Sequence, residues 1–166
     1  MEKILVSACL LGEKVRYDGS DSAVHGLLDT WQQQGRIIPH CPEQAGGLPI
    51  PRAPAEIEQG DANGVLSGKK KVQTRAGNDV TDAFIDGAEQ ALAQCWQHNI
   101  KIAVLKDGSP SCASSKINNG KFSGIKIKGV GVTTSLLISH GISVFGEEDM
   151  DAAAQRLAEL EKTHGE

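Results

Sequence analysis

Aromatic side chains are scarce in this chain: three Phe, two Trp and one Tyr among 166 residues. Its core must be filled mainly by aliphatic groups. There is no CxxC pair, so the common zinc-finger spacings are missing. No apolar run approaches the about 20 residues that a membrane-spanning helix needs. A basic excess is lacking too. Seventeen Lys and Arg face twenty-one Asp and Glu, leaving a net charge of −4, so no global field favours nucleic acid as a partner. Met1 to Val6 goes straight into a strand pattern, without the basic start, apolar stretch and small-residue site of a signal peptide. A cytoplasmic protein without a membrane partner is expected. Repeats, low-complexity tracts and linkers are absent, and the length suits a single domain over residues 1–166.

What is present is an alternation of short apolar runs and helical periodicities. Ile4-Leu5-Val6 reads as a buried strand. The stretch holding Gly12, Tyr17, Asp18, Gly19 and Ser20 reads as loop. His25 to Gln34 has helical spacing, with Leu27, Leu28 and Trp31 on one face and Gly35 as its stop. Further strands are expected over Arg36–His40, Lys101–Lys106 and Ile142–Phe145. A long helix is expected to be capped by Asn78 or Asp79 and to run to about His98, turning Phe84, Ala88, Ala91, Leu92, Cys95 and Trp96 inward. Val132–His140 and Asp149–Thr163 complete the helices, the last with Ala153, Leu157 and Leu160 facing the core. Asn118-Asn119-Gly120 signals a hairpin. Ala55 to Gly77, which includes a solvated Lys69–Lys71 run, reads as a small hairpin or lid insertion. The pattern predicts an α/β fold with a mainly parallel, Rossmann-like sheet flanked by helices.

Four cysteines remain: Cys9, Cys41, Cys95 and Cys112. In a reducing compartment metal binding or catalysis is favoured over disulfides. Cys95 falls on the apolar face of the long helix and reads as buried filler. The other three each follow a strand end. Parallel strands carry ligands beyond their carboxyl ends, so the topology would bring Cys9, Cys41 and Cys112 to one edge. Three thiolates could hold zinc or an iron–sulfur cluster, or serve as a nucleophile with partners. His40 adjoins Cys41, but neighbouring strand residues point to opposite faces, so both on one ion is awkward. Spacing alone leaves zinc and iron–sulfur open.

Five segments resemble the DUF523 family, which includes thiouracil desulfidases: VSACLLG (Val6 to Gly12), RYDG (Arg16 to Gly19), CPEQAGGLPIPRAPAEI (Cys41 to Ile57), LKDGSPSC (Leu105 to Cys112) and GVGVT (Gly129 to Thr133). The resemblance implies a [4Fe–4S] cluster held by Cys9, Cys41 and Cys112, with one iron left open to bind substrate sulfur. It implies a non-redox exchange of sulfur for oxygen on a small, 2-thiouracil-like base. Glu43 and a serine, Ser109 or Ser111 with Ser109 favoured, would assist water attack. After aerobic handling the three cysteines are expected to be empty, zinc-bound or oxidised. One departure is visible: many members follow SPSC with Gly, and this chain has Ala113.

Other roles are open to the same residues. Glu43 could bridge to Arg52, although an Arg52–Glu56 ion pair is the expectation. Tyr17 could stack on a flat base. Two alternative functions follow: a non-catalytic metal-binding or redox-sensing module on the same cysteines, and a thiol enzyme with Cys112 as a low-pKa nucleophile.

Overall fold

A computed structural model describes residues 1–14, 16–19 and 25–164, Thr163 and His164 by backbone alone; Ser20 lies outside the described residues. Four strands form the main sheet: β1 (Ile4–Ser7), β2 (Ile37–His40), β5 (Ile102–Leu105) and β8 (Ser143–Gly146). Their order is β2-β1-β5-β8 and every pairing is parallel. Two antiparallel hairpins, β3 (Ala55–Ile57) with β4 (Val72–Thr74) and β6 (Lys116–Asn118) with β7 (Lys126–Lys128), stand apart from it. The helices are α1 (Leu27–Gln33), α2 (Pro42–Ala45), α3 (Ala62–Leu66), α4 (Thr81–Gln97), α5 (Val132–Ser139) and α6 (Met150–His164). The fold is the α/β arrangement that the alternating pattern predicts. No helix among the described residues is long and apolar enough to cross a membrane.

Strands β1 and β5 are buried throughout because helices cover both faces, which is why they read as unbroken apolar runs. Ile4, Val6, Ile102 and Val104 meet Leu28 and Trp31 of α1 and Ala153, Leu157 and Leu160 of α6. Leu5, Ala103 and Leu105 point the other way, onto Ala91, Leu92 and Cys95 of α4 and Leu137 of α5. A third apolar cluster joins β3, β4, α3 and α4 to Ala113, Ile117 and Val132. The insertion is a hairpin carrying α3 between its strands.

Three local expectations need correction. Trp96 is 63% exposed and rests edge-on against His140 at 5.7 Å. At 100° per residue, aiming Cys95 into the core carries its neighbour to the rim. Helix α4 starts at Thr81; Asp79 instead accepts the Thr81 amide at 2.9 Å from just outside the helix. The hairpin signalled at Asn118-Asn119-Gly120 forms, but its β6–β7 connection runs over residues 119–125, well beyond those three residues. Buried Glu56 explains its length, since its carboxylate accepts the amides of Gly120 (3.0 Å) and Phe122 (3.2 Å) and draws the loop onto β3.

Candidate active site

The carboxyl edge of the sheet opens into a cavity of about 490 Å³. Cys9 reaches it from the 3-10 turn after β1, Cys41 from the residue after β2, and Cys112 from the loop after β5. None of the cysteines forms a disulfide. Cys95 is buried on α4, away from this wall. Glu43, Ser109 and Tyr17 share the cavity with the three thiols. So do Arg16, Arg52, Lys106, Lys116 and Lys126, cations that no spacing rule singles out because they come from five separate segments.

Burial dominates the electrostatics of the thiols. It pushes Cys9 up to about 11, with the nearby Cys41 adding to the rise. Burial also raises Cys41, against hydrogen bonding from the Gln44 amide. Cys112 rises most: burial leads, Glu43 and the other two thiols add, and a hydrogen bond from the Ser7 hydroxyl opposes. Each thiol therefore stays protonated without a metal and must lose its proton to bind one. A nucleophilic cysteine needs the opposite shift, so the thiol-enzyme alternative is disfavoured. Among the described residues no three or more His, Cys, Asp or Glu side chains are gathered as ligands of a single ion. His40 lies on the cavity wall, where burial lowers its pKa and its Nε2 has no hydrogen-bond partner.

Asp107 builds the loop that carries Cys112. Its Oδ1 accepts the amides of Gly108 (2.9 Å), Ser114 (2.9 Å) and Ser115 (3.1 Å), and its Oδ2 takes the Ser115 hydroxyl. Burial would raise this carboxyl, but the hydrogen bonds, Ser115's first, prevail and hold it at about 2. The ionised carboxylate thus stabilises the fold above the unfolded-state pKa of about 3.9. That stability is lost as pH falls through about 2. Asp107→Ala should cost about 1–3 kcal/mol at neutral pH by stripping three amides of their acceptor. Denaturant titrations at pH 7 and pH 2 check both points, and the gap from wild type should narrow at pH 2.

The two serines of SPSC separate. Ser109 lines the cavity, and its oxygen accepts the amides of Ser111 (3.1 Å) and Cys112 (3.0 Å), leaving its proton to donate. Ser111 is fully buried and bonds Thr133 of α5 at 2.7 Å, off the cavity. Glu43 sits in the first turn of α2, 17% exposed. Burial raises its pKa while Arg52, at 3.4 Å, and Arg16 oppose the rise. Arg52 therefore pairs with Glu43, and the expected Arg52–Glu56 pair does not form because Glu56 is committed to the hairpin amides.

The model of the family described as 2-thiouracil desulfurase matches residues 4–149. The chain belongs to the 2-thiouracil desulfurase family. A solved structure of the [4Fe-4S]-dependent thiouracil desulfidase TudS is 48% identical, with a TM-score of 0.87 over 95% of this chain and 99% of that one. The uncharacterized protein YbbK of Bacillus subtilis (strain 168) is 42% identical over 151 residues, 89% of this chain and 97% of its own.

Two features of this desulfurase-family chain show how its backbone fixes the site. Ala113, the departure from the SPSC-Gly pattern, turns its methyl into the third apolar cluster and away from the cavity. Helix α2 is pressed against α4 through Gly46 and Gly87. A Cβ on Gly87 would lie 2.0 Å from the Pro42 carbonyl oxygen, one residue from both Cys41 and Glu43. Alanine favours a helix interior over glycine by about 1 kcal/mol, but a clash with backbone cannot be relieved by a rotamer. Gly87→Ala should therefore destabilise the protein by about 1–3 kcal/mol, as overpacking does. It should also lower metal content, read by denaturation and iron analysis.

Proposed function

We propose that this chain is a desulfidase that exchanges the sulfur of a small, 2-thiouracil-like base for oxygen from water and releases sulfide, with no net electron transfer. The observation that carries the reading is one cavity lined by three thiols, a carboxylate and a donor hydroxyl. The donor set suits an iron–sulfur cluster: three soft sulfurs face one space, and none is tied up in a disulfide. A single zinc ion would need its ligands within about 2.3 Å of one point, a grouping not found among the described side chains. When bound to Cys9, Cys41 and Cys112, a [4Fe–4S] cluster supplies one open iron, a soft Lewis acid for the thiocarbonyl sulfur.

The remaining steps fall to the chain. Glu43 takes a proton from the attacking water, with Arg52 and Arg16 favouring the ionised carboxylate against the effect of burial. Ser109, its oxygen engaged by two amides, directs its proton toward the negative charge that develops on the substrate. Ser111 supports the loop through Thr133. Tyr17, 40% exposed at the cavity wall, offers a ring face to a flat base. Carbon gains the water oxygen, the carbon–sulfur bond breaks, and both water protons are balanced by release of hydrogen sulfide. A sensor without catalysis would have no use for Glu43 and Ser109 beside the cysteines, which favours the enzyme. Protein purified anaerobically should carry about four irons and four sulfides per chain and convert 2-thiouracil to uracil and sulfide. Zinc in place of iron, or a loaded protein that turns over no thiolated base, would overturn the reading.

A further inference from the structure

The β6–β7 hairpin turns one row of polar side chains toward the cavity. Side chains alternate along a strand, so Ile117 and Ile127 take one face and Lys116, Asn118 and Lys126 the other. Ile117 is buried in the third apolar cluster. Ile127 lies against Gly60, where a Cβ would come within 2.7 Å of its Cδ1. The apolar face thus seats the hairpin, and Lys116, Asn118 and Lys126 line the cavity. Asn118 pairs with Lys126 across the two strands. The Lys126 ammonium donates to Asn118 Oδ1 at 3.3 Å. The same ammonium lies 3.8 Å from where a Cβ on Gly108 would stand, so it joins Asn118 to the loop of Ser109 and Cys112. An ammonium has protons and no lone pair, so it can meet only the oxygen of an amide. That settles which way the Asn118 amide faces. Its oxygen is engaged by Lys126, and its NH2 group has no acceptor among the described residues. The cavity wall therefore carries an oriented, neutral donor beside the loop of Ser109.

We propose that Asn118 is a specificity residue: its NH2 group donates a hydrogen bond to the ring carbonyl oxygen that a thiouracil-type base keeps when sulfur has replaced its other oxygen. The inference rests on the desulfidase reading above and narrows its substrates to thiolated bases with an acceptor at that ring position. A thiocytosine has an amino group there instead. Two donors would then face each other, and each would lose a partner. Such a mismatch should lower kcat/KM about 10- to 100-fold.

The test uses anaerobically reconstituted wild type, Asn118→Ala and Asn118→Asp, with 2-thiouracil and 2-thiocytosine as substrates. The readout is the ratio of kcat/KM for the two bases, and its change between proteins cancels their intrinsic reactivities. Asn118→Ala should lower the ratio about 10- to 100-fold, mainly by raising KM for 2-thiouracil. Asn118→Asp keeps the shape, still meets Lys126 and replaces the donor by an acceptor, so the ratio should fall further. Iron content should match wild type in both. Should one variant fail to load iron, the other decides alone. An unchanged ratio would overturn the inference, since a residue that only shapes the hairpin affects both bases alike. Loss of iron from both variants would overturn it as well, because Asn118 would then serve the cluster and not the base. Iron-loaded wild type that turns over neither base would instead overturn the desulfidase reading itself.

Discussion

Cys112→Ala, purified without oxygen, should retain few or none of the irons that wild type carries and should show no desulfidase activity above background. Cys112 is the most buried of the three thiols, and Ser109 and Thr134 hold its backbone on either side. The fourth cysteine, Cys95, lies in the core between α4 and the sheet and cannot reach the cavity. Truncating a 5% exposed side chain also leaves a small void, worth about 1 kcal/mol by the methyl-sized cost of cavities. The variant should therefore fold, with a circular dichroism spectrum like that of wild type. Iron and acid-labile sulfide analysis separates loss of the cluster from loss of the fold. Full iron content in Cys112→Ala would remove this cysteine from the ligand set.

Glu43→Gln should keep the cluster and lose rate. Glutamine preserves the volume and can still meet Arg52, so α2 and the neighbouring Cys41 should stay in place. What disappears is the proton acceptor. Removing a general base typically costs about 100- to 10,000-fold, and that fall is expected in kcat for 2-thiouracil with iron content unchanged. A wild-type rate would mean that water reaches the carbon without this carboxylate. The base would then have to be sought elsewhere on the cavity wall, and the Glu43–Arg52 pair would be a structural strut.

Much of the fold was legible because periodicity reports burial directly. The apolar runs Ile4–Val6 and Ile102–Leu105 are strands covered on both faces, and Ala153, Leu157 and Leu160 mark one stripe of α6. The cysteines were legible for a related reason. A residue just past a parallel strand ends at the carboxyl edge whatever separates it in sequence, and the order β2-β1-β5 makes the three strands neighbours. Trp96 was misread because an apolar residue at the border of a helical stripe can fall to either side, and the crossing of α4 over the sheet decides which. Arg52 was paired with the wrong acid because sequence proximity favours Glu56, whereas the fold engages Glu56 with the amides of a hairpin more than sixty residues away.

Local patterns along the chain carry the alternation of elements, the cysteines that follow strand ends, and the SPSC and CPE segments that hold the candidate chemistry. These are local properties: period, turn chemistry and the placement of a residue after a strand. Packing across the fold chooses which serine faces the cavity, which acid Arg52 meets and how Asp107 holds the loop. Such choices depend on the directions of side chains from distant segments. Those directions are set by how α2, α4 and α5 pack, down to the 2.0 Å approach that admits only a glycine at position 87.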